Sequence, residues 1–193
     1  MNVLELESAT ASLIVVDVQE KLLQAMAAGA QQRVTQNVSV LAAAARRFHM
    51  PIFVTEQYPK GLGATAPQVK EALAETLAMN PPFEKLEFDA TENEHVANAL
   101  ANAAPPAQRH SVILVGMEAH ICVYQTARGL LKRGYHVHVV ADATCSRTDA
   151  NLEIARGLWQ RAGAVVTSTE TVIFDLLGKA GGDDFKALSR LIK

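Results

Sequence analysis

A chain of 193 residues, 49% of them hydrophobic, has enough apolar material for one core and needs no disulfide framework to hold it. A formal charge of -2 without any long Lys/Arg block excludes the electrostatic footprint that a nucleic acid or anionic lipid surface requires. Only two cysteines occur, Cys122 and Cys145, and both are expected as reduced thiols.

The N-terminus, MNVLELESATASLIVVD, is acidic where a leader would be basic, and its apolar run is too short to cross a bilayer, so a cytoplasmic protein is expected. Short Val/Ile/Leu-rich runs then recur along the chain. Ser12–Val16, Ile52–Thr55, Ser111–Val115, His136–Val140 and Ala164–Thr167 read as buried strands. Phe83–Phe88 is broken by charge but is needed as a strand, because two helices would otherwise follow one another with nothing to pack on. Helical periodicity covers Arg33–Phe48, Pro67–Ala78, Thr91–Ala103, Ala119–Arg133 and Asp149–Arg161, and Thr91 with Glu94 forms a capping-box pattern.

This alternation predicts a three-layer α/β/α domain, Rossmann-like, with a mostly parallel six-stranded sheet. No linker or repeat divides it, so residues 1–193 read as a single domain. A Gly-hinged helical tail follows from about Asp183, and its Phe185, Leu188 and Ile192 need cover, which suggests a homo-oligomer.

In such sheets ligands bind beyond the carboxyl ends of the strands, where strand order reverses. If the first three strands grow one way and the fourth returns beside the first, the reversal lies between Val16 and Val115. Just past those strands stand Asp17 and the segment GMEAHICVYQTA, with Cys122 at the start of a helix. A helix N-terminus and a nearby cation both favour a thiolate, so Cys122 is expected to ionise below about 8.5. The cation is Lys85 of FEKLEF, and Asp17 could take the thiol proton. Singly, each residue has an ordinary structural explanation: a loop cap, a surface lysine, a small buried hydrophobe.

LIVVDVQEKL, FEKLEF and VGMEAHICVYQTARGLLKRGYHVHVVADA together resemble the isochorismatase-like cysteine hydrolases, a family that includes nicotinamidases, carbamoylsarcosine amidases and ureidoacrylate amidases. TEQYPKGLGAT and GMEAHICVYQTA are most similar to the subgroup of isochorismatase domain-containing proteins. The resemblance implies the isochorismatase-like hydrolase fold, with Cys122 as nucleophile, Asp17 as general base and Lys85 as cationic partner. It further implies a non-proline cis peptide between Met117 and Glu118, with the backbone N–H groups of Glu118 and Cys122 forming an oxyanion hole. The implied reaction is hydrolysis of a small amide or related C–N bond through a thioester. Metal-binding nicotinamidases carry a Trp-His-Pro segment and a further His after the second strand. Thr55, Glu56, Gln57, Tyr58 and Pro59 stand there in this chain, so neither metal nor other cofactor is expected.

Gln19 is expected to support Asp17, while Tyr58, Phe88, Tyr124 and His120 are candidate pocket residues. His136 and His138 share a strand face but lack the third ligand of a metal site. Cys145 is expected after the fifth strand as an inert thiol, with Asp142 tying a turn. Gly61 and Gly63 do not make a dinucleotide loop, because the first strand runs into DVQEKL without glycine. A non-catalytic domain binding a small molecule or protein, a metal-free acid–base hydrolase using Asp17 alone, and a redox thiol needing a resolving cysteine are the competing readings.

Overall fold

The computed structural model describes residues 3–105 and 110–192. Met1, Asn2 and Lys193, which the expected domain includes, lie outside the described residues, as do residues 106–109. The elements run β1 (Ala11–Val16), α1 (Glu20–Gln24), α2 (Ala28–Arg47), β2 (Ile52–Gln57), α3 (Pro59–Leu62), α4 (Pro67–Ala72) and α5 (Ala74–Met79). They continue through β3 (Phe83–Lys85), α6 (Glu94–Ala103), β4 (Ser111–Met117), α7 (Tyr124–Lys132), β5 (His136–Cys145), α8 (Asp149–Ala162), β6 (Val165–Thr167), α9 (Thr169–Leu177) and α10 (Gly182–Leu188).

All six strands pair in parallel, in the order β3-β2-β1-β4-β5-β6. Order therefore reverses between β1 and β4, where Val16 lies opposite Gly116. β1 and β4 are buried along their whole length, which explains why their sequences are continuous apolar runs and not alternating ones. One face of the sheet packs Val34, Val38 and Leu41 of α2 with Val69 of α4 and Ile173 of α9. The other packs Leu100 of α6, Leu130 of α7 and Trp159 of α8.

Several local expectations are corrected. The capping box at Thr91 is not formed: Asn93 caps α6 by accepting from the backbone N–H groups of His95 and Val96, and Thr91 sits in a separate 3-10 turn capped by Asp89. The helix expected over Pro67–Ala78 breaks at Leu73 into α4 and α5. β3 ends at Lys85, short of Phe88. Cys145 is the last residue of β5, not a loop residue. Asp142 also lies within β5, and its carboxylate accepts from the backbone N–H and hydroxyl of Thr169 at the start of α9.

The tail is covered in part by its own chain. Leu188 is buried in the core, Ile192 packs against that core, and the Phe185 ring lies 6.4 Å from that of Phe174. Phe174 and Leu191 nevertheless stay exposed, so part of this apolar face remains open.

Gly116 is the tightest point of the fold. Its φ of 117° lies in the left-handed region, and a Cβ there would collide with the backbone carbonyl of Val16. A backbone neighbour inside a sheet cannot move aside. Gly116→Ala is expected to destabilise the protein by about 3–5 kcal/mol in urea unfolding, with wild-type stability contradicting this account of the β1/β4 junction.

Candidate active site

Three strand ends bring three side chains to one point. Asp17 follows β1 in the left-handed region (φ 50°), a conformation that Asp tolerates better than most residues. Lys85 closes β3 and lies opposite Gln57 in the register, so its long side chain passes the end of β2 to reach Asp17. Cys122 lies in a π-helical turn, Ala119–Val123, between β4 and α7. The peptide bond between Met117 and Glu118 is cis, and it leads the chain from β4 into that turn. Val123 then donates to the Glu118 carbonyl at 3.2 Å.

The Lys85 ammonium donates to Asp17 Oδ2 at 2.7 Å, to Gln57 Oε1 at 2.6 Å and to the Glu87 carbonyl at 3.1 Å. Thr55 donates to the other Asp17 oxygen, Oδ1, at 2.7 Å. Cys122 lies close enough to the same carboxylate for its negative charge to act on the thiol. All three residues are nearly closed from solvent, at 0% exposed for Asp17, 3% for Lys85 and 5% for Cys122. Charge interactions inside such a site are far less damped than at the surface.

The expected low ionisation of Cys122 is corrected. Burial, followed by the Asp17 charge, pushes its thiol up to about 12, and Lys85 offsets only part of this. The same happens to Cys145, pushed up to about 12 first by burial. Both thiols therefore stay protonated in the folded chain at pH values where unfolded thiols ionise. Their contribution to stability is present below about 9 and is lost as pH rises toward about 12.

Gln19 is buried and holds the wall of the site. Its amide donates to the Gly63 carbonyl at 2.6 Å and the Gln57 carbonyl at 3.1 Å, while its oxygen accepts from the Gln57 backbone N–H at 2.8 Å. Tyr58 lines a groove of about 500 Å³ together with Lys60, Lys85, Leu86, Glu87 and His95. Phe88 is half exposed and is not among the groove's lining residues. His120 pairs through Nδ1 with Ser146 Oγ at 2.9 Å. The Glu118 carboxylate turns toward Arg147, accepting from its backbone N–H at 3.0 Å and its Nε at 3.1 Å. Tyr124 lies under the Arg128 guanidinium.

Sequence reasoning missed Thr55 and Gln57 as parts of this network, although both stood in the segment singled out for what it lacks. Their signal is positional: they are the β2 residues whose register neighbours are Val16 and Lys85. Glu56, between them, accepts from the backbone N–H of Thr65 at 2.7 Å and from its hydroxyl at 2.6 Å. Among the described residues no group of three or more His, Cys, Asp or Glu side chains is arranged to hold a metal. No helix among them is long and apolar enough to cross a membrane.

Residues 11–171 match the isochorismatase domain, and the chain belongs to that family. It is 38% identical over 160 residues to the secreted isochorismatase effector Isc1 of Phytophthora sojae, covering 83% of this chain and 74% of that one. It is 38% identical over 149 residues to isochorismatase domain-containing protein 1 of Salmo salar, covering 77% of this chain but only 50% of that relative's length. Among solved structures, one described as the MAR1 ribonuclease of Caenorhabditis elegans superposes with a TM-score of 0.85 at 38% identity, over 97% of this chain and 92% of that one.

The order of causes behind the Cys122 shift gives a test with a definite sign. Replacing Asp17 by Asn removes the negative charge that disfavours the thiolate and leaves Lys85 beside the sulfur. Iodoacetamide modification of Cys122 at pH 8 is expected to accelerate about tenfold or more in Asp17→Asn, as a fall of about one unit in its ionisation requires, while Cys145 is unchanged. Slower modification of Cys122 in that variant would mean that Asp17 already draws the proton away in the resting protein.

Proposed function

We propose that this member of the isochorismatase family is a metal-free cysteine hydrolase that cleaves a small amide or related C–N bond through a thioester on Cys122. The observation that carries the reading is the buried Asp17 carboxylate beside Cys122, with Lys85 and Thr55 fixing its two oxygens at 2.7 Å each. A base held this way does not swing out to solvent, and its cation stays beside it.

With substrate bound, the thiol proton passes to Asp17 as sulfur attacks the carbonyl carbon. The backbone N–H groups of Glu118 and Cys122 receive the developing oxyanion. Collapse of this intermediate breaks the C–N bond, and Asp17 returns the proton to the departing amine. Water then attacks the thioester carbonyl, giving its proton to Asp17. Release of the carboxylic acid restores the thiol with that same proton. Lys85 stays an ammonium throughout and keeps whichever neighbour is anionic close to neutral.

A thiol pushed up to about 12 is compatible with this cycle. That value describes loss of a proton to solvent, which would leave two anions around one cation. Transfer inside the cluster merely moves one negative charge from Asp17 to sulfur. The number of buried charges does not change.

Acid–base hydrolysis by Asp17 alone is the second reading, favoured by the isochorismatase name of the Phytophthora relative. Cleavage of RNA, which the description of the nematode structure suggests, is opposed by charge. Glu84 and Glu87 line the groove with Lys60 and His95, which makes no basic surface for a phosphate backbone, and Lys85 is buried. On this reading the substrate is a small amide held against Tyr58 and Leu86.

A panel of small amides, ureido compounds, nicotinamide and RNA, followed for ammonia or amine release and by intact mass, tests the proposal. The expected result is release from an amide with a transient adduct on Cys122, at least about 1,000-fold slower turnover in Cys122→Ala, and no loss on prolonged chelation. Wild-type turnover in Cys122→Ala would replace the thioester route with acid–base chemistry at Asp17. Activity lost on chelation and restored by zinc would overturn the metal-free reading.

A further inference from the structure

An ammonium group has three N–H donors and no acceptor. In Lys85 each has a partner: Asp17 Oδ2, Gln57 Oε1 and the Glu87 carbonyl. No donor is left over for the Cys122 sulfur or for a substrate atom. Of the three acceptors, only Gln57 is a neutral side chain, and its orientation is itself fixed. Its Nε2 donates to the Leu86 carbonyl at 2.8 Å, which turns Oε1 toward Lys85. Its backbone is gripped from both sides by the Gln19 amide. Gln57 is therefore built into the site from several directions while being absent from the lining of the groove beside it.

We propose that Gln57 is a positioning residue that accepts one N–H hydrogen bond of the Lys85 ammonium and so holds the cation on Asp17 instead of on the Cys122 sulfur. The proposal rests on the cysteine-hydrolase reading for its catalytic consequence, though its effect on the thiol can be measured without any substrate. Gln57 sets where the one buried positive charge sits, and with it how the single negative charge divides between carboxylate and sulfur. A cation drawn too far toward sulfur would make the thiolate easy to form but a weaker nucleophile, because nucleophilicity falls with basicity. It would also leave Asp17 without the partner that keeps it a carboxylate ready to accept a proton. The charged and titratable groups bearing on this balance are Asp17 from the end of β1, Glu87 from the loop after β3, and Cys122 with Glu118 from the segment after β4.

Two variants separate this from a purely structural role. Gln57→Leu removes the acceptor and leaves one N–H of a buried ammonium without a partner. Asp17 and the Glu87 carbonyl remain as its acceptors, and the freed N–H can turn toward the sulfur on which its charge already acts. Gln57→Glu keeps an acceptor oxygen and adds a negative charge facing Lys85. With iodoacetamide at pH 8.5, Cys122 of Gln57→Leu is expected to react about tenfold faster than wild type, while Cys122 of Gln57→Glu reacts more slowly, each following the thiolate fraction.

Turnover on the best amide of the panel is expected to fall at least about tenfold in kcat in both variants, with KM within about twofold, since Gln57 does not line the substrate groove. Thermal unfolding and the modification rate of Cys145 serve as folding controls. Equal modification rates at Cys122 in all three proteins would overturn the proposal whatever the turnover. If Gln57→Leu does not fold, Gln57→Glu decides alone, with an unchanged rate counting against. Retained turnover in Cys122→Ala would instead overturn the thioester route and leave the thiol measurement standing.

Discussion

One buried cation neutralises one anion, and the rest of the site follows from this. Asp17, Lys85 and Cys122 lie at the centre of the sheet's carboxyl edge with almost no contact with water. An uncompensated charge there costs several kcal/mol, so the cluster holds one ammonium and one anion at a time. A proton can move within it freely compared with leaving it. The thiol's resistance to ionisation, the short contact between Lys85 and Asp17 and the hydroxyl of Thr55 all fit the same constraint.

The fold supplies this arrangement through strand order. Because β1 and β4 are neighbours but their connections leave in opposite directions, the loops beyond Val16 and Met117 part and make room at the edge. Gly116 allows the two backbones to approach where any side chain would push them apart. Beyond it, the cis bond and the π-helical turn bring the thiol back over β1. On the other side, Thr126 of α7, four residues after Cys122, accepts from the backbone N–H of Ala90 at 3.0 Å, and Arg133 donates to the Thr91 carbonyl at 2.8 Å. The helix that follows Cys122 and the loop that follows Lys85 are thereby tied together.

Much of this was legible in the sequence, for physical reasons that differ by element. Parallel strands buried on both faces must be continuously apolar, so SLIVV and SVILV announce themselves and their spacing fixes the alternation. The short edge strand β3 carries two charges in three residues and was readable only from the need to separate two helices. α9 was missed although Ser168 caps it and Gly178 ends it in the left-handed region. Thr55 and Gln57 were not legible because their partners are set by inter-strand register, which no local pattern encodes. The thiol's ionisation was misread for a related cause. A helix start favours a thiolate, whereas the turn points Cys122 into the core beside a carboxylate, where burial outweighs the local dipole.

On the proposed function, the chemistry and the selection of substrate fall to different parts of the chain, and Gln19 joins them. Two residues after Asp17, it pins the Gly63 carbonyl, and Lys21 reaches the Gly61 carbonyl at 2.7 Å. The loop bearing Tyr58 is therefore anchored to the same short segment that presents Asp17. A Cβ at Gly61 would strike the Tyr58 ring and displace it, and the Tyr58 backbone lies in the left-handed region (φ 38°). Tyr58 is half exposed and lines the groove with Leu86. A change in this loop alters what fits the groove without touching Thr55, Lys85 or Cys122. A family built on one charge-balanced cluster can in this way vary its substrates through the loops after β2 and β3 while its proton chemistry stays in place.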